Sequence, residues 1–97
     1  MSLSYLLGLL AEAHANAGHH AEAMKAVEEG IAMIEATGER FHIAELYRLQ
    51  GELCAHPSVG QRQKAEGSLR LASNFARQQG AAALERKANE SLRRCFA

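Results

Sequence analysis

The chain has 97 residues, and eleven Lys and Arg balance eleven acidic side chains, all of them Glu, for a formal net charge of zero. One small domain of that length, 47% apolar and without net charge, is not a disordered tail and has no global positive field to hold a phosphate backbone. No apolar run approaches the roughly 20 residues of a membrane span, so nucleic acid and membrane drop out as partners.

Gly and Pro punctuate the chain near Gly18, Gly38, Pro57 to Gly60, and Gly80, leaving five segments long enough for helices. The first runs from about Leu3 to Ala17, with Leu3, Leu6, Leu7, Leu10, His14 and Ala17 on one stripe. The second, about His20 to Ala36, repeats Ala23, Ala26, Val27, Gly30, Ile31 and Ile34 at steps of three and four. The third spans about Arg40 to Ala55 through Ile43, Leu46, Tyr47, Leu53 and Cys54. The fourth, about Gln61 to Gln79, aligns Ala65, Leu69, Ala72 and Ala76; the fifth, about Ala81 to Cys95, aligns Leu84, Ala88, Leu92 and Cys95. Gly38 and Gly80 suit the positive φ of a helix C-terminus, and Pro57 cannot continue the third helix. Ser58 with Gln61 has the spacing of a capping box opening the fourth. No segment alternates as a strand does, so the expected class is all-α.

The second and fourth segments match at an offset of 42: Ala23 with Ala65, Val27 with Leu69, Gly30 with Ala72, Met33 with Phe75, Gly38 with Gly80. The first and third match at an offset of 40, through Leu7, Ala11 and His14 against Tyr47, Gly51 and Cys54. Self-similarity of this kind marks helical hairpins that need a neighbour to cover their apolar faces.

Leu7-x2-Leu10-Ala11-x2-His14 followed by Ala23-x3-Val27, and Tyr47-x2-Gln50-Gly51-x2-Cys54 followed by Ala65-x3-Leu69, resemble the tetratricopeptide pattern. The fifth segment resembles the first helix of a third copy, with Leu84 and Ala88 in the corresponding places. The closing Pro is missing, with Glu35 and Arg77 near its place, so each second helix runs longer. The wording AEAH, TGER and AELYRLQGEL is similar to the long-repeat arrays attached to bacterial signal-transducing ATPases and nucleotide cyclases. The resemblance implies antiparallel hairpins stacked as a short right-handed solenoid, in a single domain over 1–97. Repeat 1 would cover about 3–37, repeat 2 about 40–79, and a half repeat or capping helix about 81–95. It also implies a non-catalytic module that binds a protein or peptide, in a larger bacterial cytosolic signalling or transcription regulator. In such arrays first helices line a concave groove. Carried over, the groove takes Tyr5, Glu12, Asn16, Glu45, Arg48, Glu52, His56, Glu85, Asn89 and Arg93. The Lys/Asn clamp that grips a terminal carboxylate in some relatives is absent, and Gly8 stands where it would need a cation.

The residues offer little chemistry. His14, His19 and His20 cluster without the Cys or carboxylate partners of a closed zinc site. Cys54 and His56 lie two apart near a helix end, so their side chains diverge, and no Gly-rich phosphate loop or paired-acid motif occurs. No catalytic residue, cofactor or metal is expected. Two cysteines 41 apart with no pairing motif point to a reducing, cytoplasmic setting. The Met1-Ser2-Leu3 start has no positive stretch or cleavage site of a secretory signal, and the unit reads as part of a larger protein.

Two further readings follow from surface and charge. Leu3, Leu6 and Leu9 offer a self-association patch, since the first segment carries more apolar surface than one hairpin can cover. Residues 1–49 hold three Lys/Arg and seven Glu, residues 50–97 eight and four, so two copies could pair acidic half to basic half. The alternatives to a partner groove are therefore a homodimerisation element and, as the resemblance to the arrays of signalling ATPases implies, a small-ligand sensor.

Overall fold

A computed structural model describes residues 3–38 and 40–96; Met1, Ser2, Glu39 and Ala97, and the reading of the Met1-Ser2 start, lie outside them. The described residues form five helices: α1 Leu3–Asn16, α2 His20–Thr37, α3 Ile43–Ala55, α4 Arg62–Gln78 and α5 Ala82–Phe96, with no strand among them. Four of the five begin and end within one residue of the apolar periodicity. The exception is α3, which starts three residues after Arg40. Gln79 Nε2 donates to the Arg40 carbonyl at 2.6 Å, and the Arg40 guanidinium lies 5.2 Å from the centre of the Phe75 ring. The segment before α3 is thereby tied across the end of α4, and its Arg40 carbonyl also accepts from the Ile43 amide at 3.3 Å in a turn that leads into the helix.

The helix ends follow from backbone chemistry. Gly38 and Gly80 take φ of 76° and 69°, where a Cβ would clash, and the amide of Gly38 closes on the Ile34 carbonyl at 2.8 Å. The capping box expected at α4 does not form. The residue before α4 is Gln61, which makes no side-chain cap, while the Ser58 amide donates to His56 Nδ1 at 3.1 Å. Pro57 bends the chain so tightly that Ser58 faces back to the end of α3, and the Gln61 amide reaches the Cys54 carbonyl at 3.0 Å.

Sequence neighbours pack on one another, and α3 touches each of the other four helices. The pairing of α3 with α4 is antiparallel: Tyr47 stacks on Phe75 with centroids 5.8 Å apart, and Ser68 Oγ donates to Gln50 Oε1 at 2.8 Å. Ser73 to Asn89 and Arg77 to Glu85 show the same sense for α4 and α5. The radius of gyration, 12.3 Å, is that of a closely packed chain of this length.

Positions 42 apart in α2 and α4 sit in like surroundings. Ala23 and Ala65, Val27 and Leu69, Gly30 and Ala72, and Ile34 and Ala76 are buried in both helices, while Met33 and Phe75 are half-buried. Small residues mark the closest approaches. A Cβ on Gly51 would stand 2.5 Å from Leu69 Cγ and 3.1 Å from the Ala65 carbonyl oxygen. A Cβ on Gly30 would stand 3.1 Å from a Leu46 methyl. Ala65, fully enclosed at the first of these crossings, has no room to grow. Ala65→Leu is expected to overpack the α3–α4 seam and destabilise by roughly 1–3 kcal/mol. Thermal unfolding followed by circular dichroism checks it, and an unchanged midpoint would count against the register of the repeat.

Candidate interaction surface

The first helices of the two pairs, α1 and α3, run alongside one another, and a cleft of about 220 Å³ opens between them. Its floor is Gly8, Leu9, Leu46 and Leu49; its rim is Tyr5, Glu12, His42 and Glu45. The rings of Tyr5 and His42 lie 4.8 Å apart, closing one end. Gly8 shapes the floor, since a Cβ there would touch Leu46 at 3.4 Å.

Beyond the cleft the polar groups of α3 are engaged with one another. Arg48 donates through Nε to Glu45 at 2.7 Å, through a second nitrogen to the other Glu45 oxygen at 2.9 Å, and through a third to Glu52 at 2.7 Å. The Glu45 hydrogen bonds and both carboxylate charges outweigh the desolvation of its guanidinium and hold its pKa above the ordinary value. Glu52 in turn accepts from Ser91 Oγ at 2.7 Å and from Arg94 at 3.4 Å, so the network crosses to α5.

These contacts correct part of the expected groove. Tyr5, Glu12, Asn16, His56 and Arg93 are exposed. Glu45, Arg48 and Glu52 are half-buried and paired with one another, and of the three only Glu45 lines the cleft. Glu85 and Asn89 do not belong to it: Glu85 pairs with Arg77 and Asn89 accepts from Ser73, both on α4, so they form the α4–α5 seam. The α5 residues that face α3 are Ser91 and Arg94, which sequence reasoning missed. Nothing in the local spacing signals them, because their partner Glu52 lies 39 and 42 residues away in the chain.

Apart from His42 on its rim, the histidines assemble away from the cleft. The His20 and His56 rings stack at 3.8 Å and 25°, joining the start of α2 to the end of α3, and His14 and His19 lie 5.9 Å apart. Among the described residues no three His, Cys, Asp or Glu side chains converge as a metal site would require. Cys54 and His56 turn apart: the buried Cys54 Sγ donates to Gln61 Oε1 at 3.7 Å, while His56 is exposed beside Ser58. Burial pushes the Cys54 thiol pKa up, Lys64 works against it, and Glu28 adds to it, so the thiolate that reacts is suppressed. Cys95 is half-exposed. With a thiol-specific chromogenic disulfide, one equivalent is expected to react at once and the second only on unfolding. Two equally fast thiols would show that Cys54 is open to solvent.

Leu3, Leu6 and Leu9 are each about half exposed, as is Leu10, so α1 presents an apolar outer face. No described helix is long and apolar enough to cross a membrane.

Comparison with known proteins adds context. No protein-family model and no solved structure matches the chain. It is 40% identical over 78 residues to an uncharacterized protein of Rhizobium meliloti (strain 1021). The match covers 79% of this chain and 7% of that relative, so the chain spans a small part of the length of the curated relative it matches.

Proposed function

We propose that the chain is a non-catalytic protein-interaction module, a short right-handed stack of tetratricopeptide-like hairpins in a longer bacterial regulator of the cytoplasm. The observation that carries this reading is the recurrence of one buried pattern in α2 and α4, 42 residues apart, with α1 and α3 side by side over an open cleft. Similarity to a bacterial protein many times longer agrees with a module inside a larger chain. The second helices hold the first ones rigid, so a partner meets a preformed surface and little ordering entropy opposes binding.

The cleft suits a peptide with an apolar anchor for the exposed Leu9 and Tyr5 and a basic flank for Glu12. Selection from a displayed peptide library, followed by titration calorimetry, tests the reading. Enriched peptides should combine an aliphatic or aromatic anchor with Lys or Arg, and should lose affinity against Tyr5→Ala and Glu12→Arg. A library that yields no binder, or binders indifferent to both substitutions, would overturn it.

A further inference from the structure

A pocket of about 180 Å³ opens on the α4–α5 seam and shares no residue with the α1–α3 cleft. It is lined by Arg70, Ser73, Asn74, Arg77, Asn89 and Leu92, so all but one of its walls carry hydrogen-bond donors and none carries a carboxylate. Ser73 Oγ donates to Asn89 Oδ1 at 2.9 Å, which occupies that carbonyl and leaves the Asn89 amide NH2 to donate. Arg70 holds Glu66 through Nε and Nη2, at 3.3 and 2.8 Å, and Arg77 reaches Glu85 through Nε alone, at 3.1 Å. Each carboxylate fixes its arginine from one edge of the guanidinium. Nη1 of Arg70 and both terminal nitrogens of Arg77 meet no acceptor among the described residues.

Two more cations flank the pocket. Arg86 and Arg93 stand three residues before and four after Asn89, on its side of α5. Both are exposed, and neither forms an ion pair among the described residues. Four guanidinium groups against Glu66 and Glu85 leave a local excess of positive charge, in a chain whose net charge is zero.

We propose that this pocket binds one doubly charged oxyanion, a phosphate group that is either free or esterified to a small molecule. Its volume lies below the roughly 300 Å³ at which pockets for whole ligands begin, so one such group enters and the rest of any ester stays outside. Guanidinium donors take phosphate oxygens in pairs, and two negative charges answer the local excess better than the single charge of a carboxylate. The proposal depends on neither the repeat reading nor the occupant of the cleft.

The test titrates the isotope-labelled full chain with sodium phosphate, against sodium chloride of matched ionic strength, by two-dimensional NMR. The side-chain amide of Asn89 and the Nε–H signals of Arg70 and Arg77 should shift saturably, with half-saturation at on the order of 1 mM. Acetate should act about tenfold more weakly, for want of the second charge. Asn89→Asp keeps an acceptor for Ser73 and puts a negative charge where the donor was, so the arginine signals should no longer respond to phosphate. Arg77→Gln, at an exposed position, should weaken binding by about tenfold with the circular dichroism unchanged. Glycerol phosphate separates the two sources: tighter binding than inorganic phosphate assigns the pocket to an ester, and weaker binding assigns it to the free anion. Signals that respond alike to phosphate and chloride would overturn the proposal. So would acetate that binds as tightly as phosphate, or an Arg77→Gln variant that binds phosphate as the parent chain does.

Discussion

Gly51→Ala is expected to lower the melting midpoint by on the order of 10 °C, although alanine is the better helix former. Two effects oppose one another. Replacing a helical Gly gains about 1 kcal/mol of backbone entropy. Against it, the new Cβ would sit 2.5 Å from Leu69 Cγ, 2.8 Å from Leu69 Cδ2 and 3.1 Å from the Ala65 carbonyl oxygen. Leu69 is fully enclosed and cannot swing aside, and the carbonyl belongs to the α4 backbone. The helices must separate, at roughly 1–3 kcal/mol or more for overpacking in a seam this tight, so the steric effect wins. Gly67→Ala is the control. Gly67 lies in the same α4, has nothing within 4 Å of its would-be Cβ, and should gain stability instead. Chemical denaturation of both variants reads the sign directly. A neutral Gly51→Ala would mean that α3 and α4 can part without loss.

Arg48→Met should destabilise by about 1–3 kcal/mol at neutral pH, chiefly by stranding the Glu45 carboxylate and leaving Glu52 only Ser91 and Arg94. The Arg48 side chain is only 11% exposed, so the substitution removes a desolvated, three-bond partner from Glu45 and Glu52. Those carboxylates are about a third exposed, and their partial rehydration keeps the loss below that of a fully buried pair. Arg48→Lys should recover little, because an ammonium cannot reproduce the fork that grips both Glu45 oxygens. The pH dependence has a definite sign. The folded-state pKa of Arg48 is raised, so its stabilisation is complete below the ordinary guanidinium value and is lost only as pH rises through the folded one. The gap between wild type and Arg48→Met should therefore stay constant from pH about 7 to about 10, well below ordinary guanidinium titration. A gap that closes across that range would show that Arg48 is not held by its two partners.

Much of the fold was legible because its punctuation is local. Gly38 and Gly80 end helices for a reason carried by a single residue, and the buried stripes of α2 and α4 repeat with the helical period. What escaped depended on distant groups. The late start of α3 goes with Gln79, 39 residues away, sharing the Arg40 carbonyl with the Ile43 amide. The missing capping box comes from Pro57, which turns Ser58 toward His56. The polar positions of α1 and α3 were legible one by one, but not their network, because nothing in the spacing says that Arg48 will spend its donors on Glu45 and Glu52. On α5 the face was misjudged: Glu85 and Asn89 turn to α4, and Ser91 and Arg94 turn to Glu52. The Leu3, Leu6 and Leu9 patch was legible as a surplus of leucine, while its contrast with the buried Ile43, Leu46 and Leu49 of α3 shows only in the fold.

The central place of α3, in touch with all four other helices, has a consequence for how the chain opens. Neither hairpin can peel away without exposing Leu46, Leu49 and Leu53, so local openings are confined to the flanks, and release of α3 is global unfolding. Amide hydrogens of α3 should then exchange with deuterium most slowly, at rates set by the whole transition, while those of α5 exchange earliest through fraying.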